Sequence, residues 1–406
     1  MAFFAARQPI LDIDKQLFAY ELLFRESLDN VFPETMDAEE ATSRMVEGLQ
    51  FNLGLDCLTQ NKCAFINFTH ESLIKQYPQL LPNDQVVVEV LETVKPGKQL
   101  LAAIIELKEK GYTIALDDYI HHRIWLHFFP YIDIIKIDWK ETSLETIKKV
   151  IEAIKTFPHI KLLAEKIESH DEFNIAVGLG FSYFQGYFFS QPEVLQSRAI
   201  SASQMSLANL MVELSQAEPD IDSVTRVIEQ DVNLSFKLLR YTQSPLFKRR
   251  SEISTIKHAL SVLGNQELRR FISVLFTAQF ADNKPPELTN MSLVRACFCE
   301  SLACLTGHEQ QKESAFLIGL LSLLDALLDT SLEELLEKLP LTDNIKQALL
   351  NHHGIFGQFL ELLTALEHAD WPKVTQLEKS VNISKKQAGE LYQGALQWAN
   401  QRQEYG

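Results

Sequence analysis

No two of the five cysteines, Cys57, Cys63, Cys297, Cys299 and Cys304, form a C-x-x-C pair. That pattern supports neither a zinc ribbon nor a dithiol redox site. The count is odd, and Met1 to Pro9 lacks the basic-then-apolar character of a secretory signal, so free thiols in a reducing, cytoplasmic setting are expected. Long apolar runs are also missing. The longest, Ala315 to Leu328, spans 14 residues and contains Asp325, too short to cross a bilayer, so no membrane partner is expected. Excess positive charge is absent throughout. Residues 1–195 carry 18 basic and 29 acidic side chains, a balance of −11, and the remaining residues carry 20 and 25, a balance of −5. A chain acidic in both halves is a poor general binder of phosphate backbones, so no nucleic-acid partner is expected. Glycine-rich phosphate loops of the G-x-G-x-x-G or Walker type do not occur.

What is present is a change of grammar near residue 195. The first half alternates strand-like and helical runs. Apolar or β-branched runs fall at 2–7, 16–24, 63–68, 85–91, 112–117, 132–138, 160–166 and 183–189. Helical patterns lie between most of them. Gln99 to Lys110 is one, apolar at helical spacing, basic at its end and followed by Gly111. Eight strands alternating with helices over about 190 residues predict a compact (β/α)8-type TIM-like barrel, with an open doubly wound sheet as the alternative. From about Ser203 onward only helical periodicity is found. The predicted arrangement is therefore α/β followed by all-α: a barrel over 1–195, a linker at 196–203 and a helical domain over 204–406.

The stretch from Tyr112 to Asp138 shows why the barrel matters. Two buried-strand patterns end in charge, the first at Asp117-Asp118 and the second at Lys136-Ile137-Asp138. The other predicted strands end in a similar way. Glu21 is followed by Arg25; Asn67, Glu89 and Glu92 come next; Glu165 and Glu168 follow; Gln185-Gly186 is last. The C-terminal ends of barrel strands converge on one face. An acid after a single strand is ordinarily a helix cap or a surface charge, but this many at successive strand ends form a set. Carboxylates and an amide oxygen are hard ligands suited to Mg²⁺ or Mn²⁺. So many acids repel one another unless cations lie between them, which points to two metals sharing a bridging carboxylate. Lys136 and Arg25 would then face phosphate oxygens.

The ordered segments Tyr20-Glu21-Leu22-Leu23-Phe24-Arg25, Phe65-Ile66-Asn67-Phe68-Thr69, Glu89-Val90-Leu91-Glu92, Leu116-Asp117-Asp118, Ile135-Lys136-Ile137-Asp138, Ala164-Glu165-Lys166-Ile167-Glu168 and Phe184-Gln185-Gly186-Tyr187 resemble EAL domains. These are barrels that bind the bacterial second messenger cyclic di-GMP and hydrolyse it to linear pGpG. The resemblance covers about residues 1–195. It implies metal ligation by Glu21, Asn67, Glu89 and Asp117, with Asp118 on a second metal. It implies that Lys136 orients the attacking water or holds a phosphate, and that Glu165 completes the metal and base set. Arg25 and Gln185 would touch the nucleotide, and Glu92 would anchor the loop after the paired aspartates. Two departures stand out. Leucine replaces alanine in Glu21-Leu22-Leu23. The small-residue loop that usually follows the second aspartate is replaced by Tyr119-Ile120-His121-His122-Arg123-Ile124-Trp125, which cannot take the same glycine-dependent path. In the family this loop positions the second aspartate and supports dimerisation, so the second metal and a homodimer both turn on it. His121 and His122 are either replacement ligands or part-exposed residues at the start of a short helix.

In the second half, Ser235 to Pro245, Ile253 to Leu260, Val262-Leu263-Gly264, Val294-Arg295-Ala296 and Ala315 to Leu320 resemble HDOD domains, relatives of HD-type phosphohydrolases without the metal ligands. No His-Asp pair occurs in 200–406, and His170-Asp171 in the first half is expected to open a helix. The resemblance implies an interaction domain with a protein partner. Two readings follow: a metal-dependent cyclic di-GMP phosphodiesterase with a helical output domain, or a receptor that binds the dinucleotide without turnover and acts through protein contacts.

Overall fold

A computed structural model describes residues 4–25, 55–119, 122–190, 202–216, 218–230, 232–242, 255–280, 284–337, 339 and 341–403. The chain divides into two compact units, Met1–Gln191 with Ala365–Pro372, and Pro192–Thr364 with Lys373–Gly406. Of the expected linker only residues 202 and 203 are among those described.

The first unit holds a closed eight-stranded barrel in sequence order. Its staves are β1 (Phe4–Asp12), β2 (Leu17–Arg25), β3 (Cys63–Phe68), β4 (Val86–Val90), β5 (Thr113–Leu116), β6 (Ile134–Asp138), β7 (Lys161–Glu165) and β8 (Tyr183–Gln185). Strands β2 to β8 run parallel. The first stave differs from expectation in two ways. It extends to Asp12 rather than stopping near residue 7, and it runs antiparallel to both β2 and β8. The reason is local. Asp12 Oδ1 accepts from the amides of Asp14 and Gln16 at 2.9 and 2.8 Å, which folds residues 12–16 into a tight turn. Such a turn can join only antiparallel strands, whereas a parallel crossover needs a dozen residues or more.

One residue from each of the first seven strands forms the inner layer: Ile10, Ala19, Phe65, Val87, Ala115, Ile134 and Leu163, with Tyr183 of β8 packed against it. Helices cover the outside. Lys98–Glu109 buries Leu100, Ala103, Ile104 and Leu107; it ends just before Gly111, whose positive φ turns the chain. Leu144–Ile154 starts at a Ser143 cap. His170–Gly178 opens with a full capping box between Ser169 and Glu172, so the His170-Asp171 pair begins a helix as expected.

The described part of the second unit is helical. Residues on both sides of Gly264 form Ile256–Phe280, with a break at that glycine. The apolar run Ala315 to Leu328 is divided between Lys312–Leu321 and Leu324–Leu328. Helix Pro286–Leu305 is buried on nearly every face, as the central helix of a bundle must be. It packs on Lys312–Leu321 and Lys385–Gln403. Contact with Lys312–Leu321 is close enough that a Cβ on Gly319 would lie 2.3 Å from the Arg295 carbonyl oxygen. Ser384 caps the last helix, accepting from the Gln387 amide while its own amide donates to Gln387 Oε1 at 2.9 Å. Cys63, Cys297, Cys299 and Cys304 are free thiols. Among the described residues no helix is long and apolar enough to cross a membrane.

Candidate active site

Side chains along a strand alternate faces, so two residues beyond an inward-facing residue lies the next inward-facing one. Applied to the inner layer, the step from Ala19 reaches Glu21, from Phe65 Asn67, from Val87 Glu89, from Ala115 Asp117, from Ile134 Lys136, from Leu163 Glu165 and from Tyr183 Gln185. The parallel register pairs Asn67 with Glu89, while Glu89 pairs with Ala115, one inward step before Asp117. Because β1 is antiparallel, its step runs backwards from Ile10 to Gln8, which is paired with Glu21. The layer above the apolar one is therefore polar, with one residue from each strand.

Lys136 is at its centre and has no exposed surface. Its Nζ lies 2.5 Å from Glu89 Oε1, 2.7 Å from Asp117 Oδ1, 2.9 Å from Glu165 Oε1 and 3.5 Å from Glu21 Oε2. Four carboxylates surround one ammonium, leaving an excess of negative charge in a largely buried region. The titration behaviour follows from this. Burial pushes the Glu89 carboxyl well above the ordinary range, with Lys136 pulling against it and Glu21 and Asp117 adding to the rise. Burial likewise pushes Glu165 well above that range, opposed by Lys136 and reinforced by Asp117 and Glu21. For Lys136 burial works against the charged form, but Glu165, Glu21, Glu89 and Asp117 together outweigh it and hold the side chain as an ammonium. The set accommodates its charge only by taking up protons or further cations.

Asp118 follows directly after β5 with φ +39°, and burial, then Asp117, raise its carboxyl above the usual range. Asp117, Asp118 and Glu165 each bring a carboxylate oxygen within 4.8 Å of the others. Several buried acceptors in this layer have no hydrogen-bond donor: Asn67 Oδ1, Glu89 Oε2, Asp118 Oδ1, Glu165 Oε2 and Gln185 Oε1. Buried acceptors without donors are costly unless a cation or ligand meets them. Oxygen-only donors with an excess of negative charge fit a hard divalent cation.

The remaining predicted residues are distributed as follows. Asn67 Nδ2 donates to Glu21 Oε1 at 3.4 Å. Gln185 Nε2 donates to Glu21 Oε2 at 2.6 Å and to Gln8 Oε1 at 2.9 Å, so its amide nitrogen braces a carboxylate while its Oε1 has no donor. Gln8 was missed by reading strand ends, because the functional end of an antiparallel stave is its beginning. Arg25 ends β2, with its side chain outside the described residues. Glu92 is exposed in the turn after β4. In the divergent loop, Ile120 and His121 lie outside the described residues. Tyr119 is buried, its amide donating to the Lys136 carbonyl at 3.0 Å and its ring 5.9 Å from that of Phe129. His122 is exposed and caps the short 3-10 turn Arg123–His127, accepting from the Ile124 amide. That is the helix-start role of the two envisaged for it. Asp138, though a strand end, caps its own loop: its Oδ1 accepts from the amides of Lys140 and Glu141 at 2.7 and 2.9 Å.

A closed barrel with a metal-ready acidic layer at its strand ends, followed by a helical bundle, defines the class. Residues 6–192 match the EAL domain family and residues 202–354 the HDOD domain family. The chain belongs to the family of proteins that join these two domains. A relative from Vibrio cholerae serotype O1, the cyclic di-GMP phosphodiesterase CdgJ, is 42% identical over 374 residues, 92% of this chain and 87% of that protein. The uncharacterised protein YuxH of Bacillus subtilis is 36% identical over 408 residues, 98% of each. A solved structure of Klebsiella pneumoniae BlrP1 in its calcium/cy-diGMP complex is 22% identical with a TM-score of 0.39, covering 47% of this chain and 56% of that one.

Proposed function

We propose that this protein is a metal-dependent phosphodiesterase that hydrolyses cyclic di-GMP to linear pGpG. The observation that carries the reading is the polar layer around Lys136: four carboxylates on one buried ammonium, with acceptors on Asn67, Glu89, Asp118 and Glu165 left without donors. The relative CdgJ, similar over 92% of this chain, carries that activity in its name. The metal is Mg²⁺ or Mn²⁺, held by Glu21, Asn67, Glu89 and Asp117, with Asp118 and Glu165 extending the set to a second ion. Such ions supply an activated water and neutralise charge developing on phosphate oxygens. The chain's own residues do the rest. Lys136 fixes the carboxylates relative to one another. Glu165, its carboxyl raised by burial, is suited to take a proton from the attacking water. Gln185 and Gln8 hold Glu21 in orientation, and Arg25 meets the nucleotide. Glu92 anchors the loop after Asp118.

A second reading, a receptor without turnover, draws on the left-handed backbone of Asp118 and the bulky segment after it. The helical domain relays the state of the barrel to a protein partner; its acidic balance of −5 argues against nucleic acid. A homodimer through the divergent loop belongs to the same proposal, as does a cytoplasmic location. Incubating the purified protein with cyclic di-GMP and either Mn²⁺ or Mg²⁺, and following pGpG by chromatography, tests the enzyme reading. Product that disappears in Glu21→Ala and Lys136→Ala supports it. Binding without product leaves the receptor.

A further inference from the structure

The residue after Glu165 is conformationally out of the ordinary. Lys166 has φ +56°, the left-handed region in which a side chain costs energy that glycine avoids. The backbone on both sides is held. Before it, the Glu165 carbonyl accepts from the Trp139 amide at 3.1 Å; after it, the Ile167 amide donates to the Gln185 carbonyl at 2.9 Å. Joining β7 to these two anchors forces the turn, yet a lysine occupies it. Strain of this kind at the rim of a site is a reason to ask what the side chain does.

The Lys166 side chain is 56% exposed and its ammonium pairs with Asp138 Oδ2. The other Asp138 oxygen accepts the Lys140 and Glu141 amides, so the carboxylate keeps its place when the lysine leaves. The lysine is thus tethered by a partner that is itself anchored through its second oxygen. Lys166 also directly follows Glu165 of the acidic layer in the chain. Lys136, by contrast, is fully buried with its three protons shared among four carboxylates, so it has little left for a substrate phosphate.

We propose that Lys166 is a substrate-positioning residue, whose ammonium swings from Asp138 to a non-bridging phosphate oxygen of the bound dinucleotide. This rests on the phosphodiester-cleaving reading above. A charge-assisted hydrogen bond of this kind is made in the bound ground state and the transition state alike, so its loss raises KM and leaves kcat in place.

Steady-state hydrolysis of cyclic di-GMP by wild type, Lys166→Gly, Lys166→Met and Lys166→Arg, with melting temperatures for each, tests it. The expected result is a KM about tenfold higher in the Gly and Met variants with kcat within about twofold. Arg restores KM, and Lys166→Gly melts no lower than wild type, which separates the effect from misfolding. Unchanged KM in both Gly and Met variants overturns the inference while leaving the phosphodiesterase reading intact. If wild type yields no pGpG, calorimetric titration of cyclic di-GMP decides. A tenfold weaker binding by Lys166→Met upholds the positioning role in a receptor, and equal affinity overturns it. Absence of binding to wild type removes the functional reading and this inference together.

Discussion

Lys136 Nζ lies 2.5 Å from Glu89 Oε1, and neither side chain has any exposed surface. A buried pair is strongly destabilising when only one partner is removed, because an uncompensated charge remains. Here the ammonium serves Asp117, Glu165 and Glu21 as well. Lys136→Met is therefore expected to cost about 3–5 kcal/mol of stability in EDTA, measured by urea unfolding. Millimolar Mn²⁺ or Mg²⁺ should recover much of that loss, since a divalent ion supplies the missing positive charge. No recovery by any divalent ion would mean that the acids do not form a cation site.

The pH dependence of stability has a defined sign. Glu89 and Glu165 are raised above the ordinary carboxylate range in the folded state. Their contribution is present below the unfolded-state values, near 4.3 for glutamate, and is lost as pH rises through the raised folded values. Metal-free protein should thus lose this contribution from about pH 4 upward. Thermal melts in EDTA should show the decline flattened in Glu89→Gln, and added divalent ion should remove it from wild type by taking over from the protons. An identical pH profile in wild type and Glu89→Gln would contradict the assignment.

Asp118 approaches Asp117 and Glu165 closely enough to share an ion. Asp118→Asn should lower kcat by on the order of 10²-fold or more, with the first metal still bound in a calorimetric titration. A variant of near wild-type rate would restrict the reaction to one ion and free the loop after Asp118 from any catalytic duty.

Gly186 has φ +138°, and a Cβ there would lie 2.1 Å from the Ile167 carbonyl oxygen. The same glycine separates Gln185 of the polar layer from Phe188, whose amide donates to that carbonyl at 3.2 Å. Gly186→Ala should destabilise the barrel by about 3 kcal/mol in denaturant unfolding and lower activity by moving Gln185 off Glu21.

Gly319→Ala tests the helical unit in the same way. Its Cβ would meet the Arg295 carbonyl at 2.3 Å, so the crossing of the two helices must open, at a cost of roughly 1–3 kcal/mol. Hydrogen exchange should report the loosening in Pro286–Leu305 and Lys312–Leu321, with Lys136 and its surroundings as protected as in wild type.

Much of the site was legible because β-strand alternation is simple. A strand that is apolar to its end and then charged names its own inward residue, and Glu21, Asn67, Glu89, Asp117, Lys136 and Glu165 all follow that rule. The reading failed where direction, not composition, mattered. Nothing in Arg7-Gln8-Pro9 says that the first stave runs the other way, and Pro9 argues against a continuing strand. Gln8 was overlooked for that reason. Asp138 looks equivalent to Asp117 in sequence, yet it lies one inward step beyond Lys136, at the last position of β6, where it caps the loop that follows. The brace from Gln185 to Glu21 was likewise hidden, because a glutamine's choice between a carboxylate and a ligand depends on a neighbour 164 residues away in the chain. The left-handed turn at Lys166 was hidden for a similar reason: it is imposed by anchors at Trp139, just after β6, and at Gln185 on β8.

The barrel closes through three residue pairs between β1 and β8, Ile10 to Asp12 with Tyr183 to Gln185. The hydrogen bond from Gln185 to Gln8 spans 177 positions of sequence. During synthesis the first stave therefore waits, its outer edge unpaired, until the last has emerged. Glu21 acquires its brace only then. The acidic layer is consequently a checkpoint on completeness: a chain interrupted before residue 183 holds every proposed ligand of the cation and still lacks the glutamine that orients Glu21.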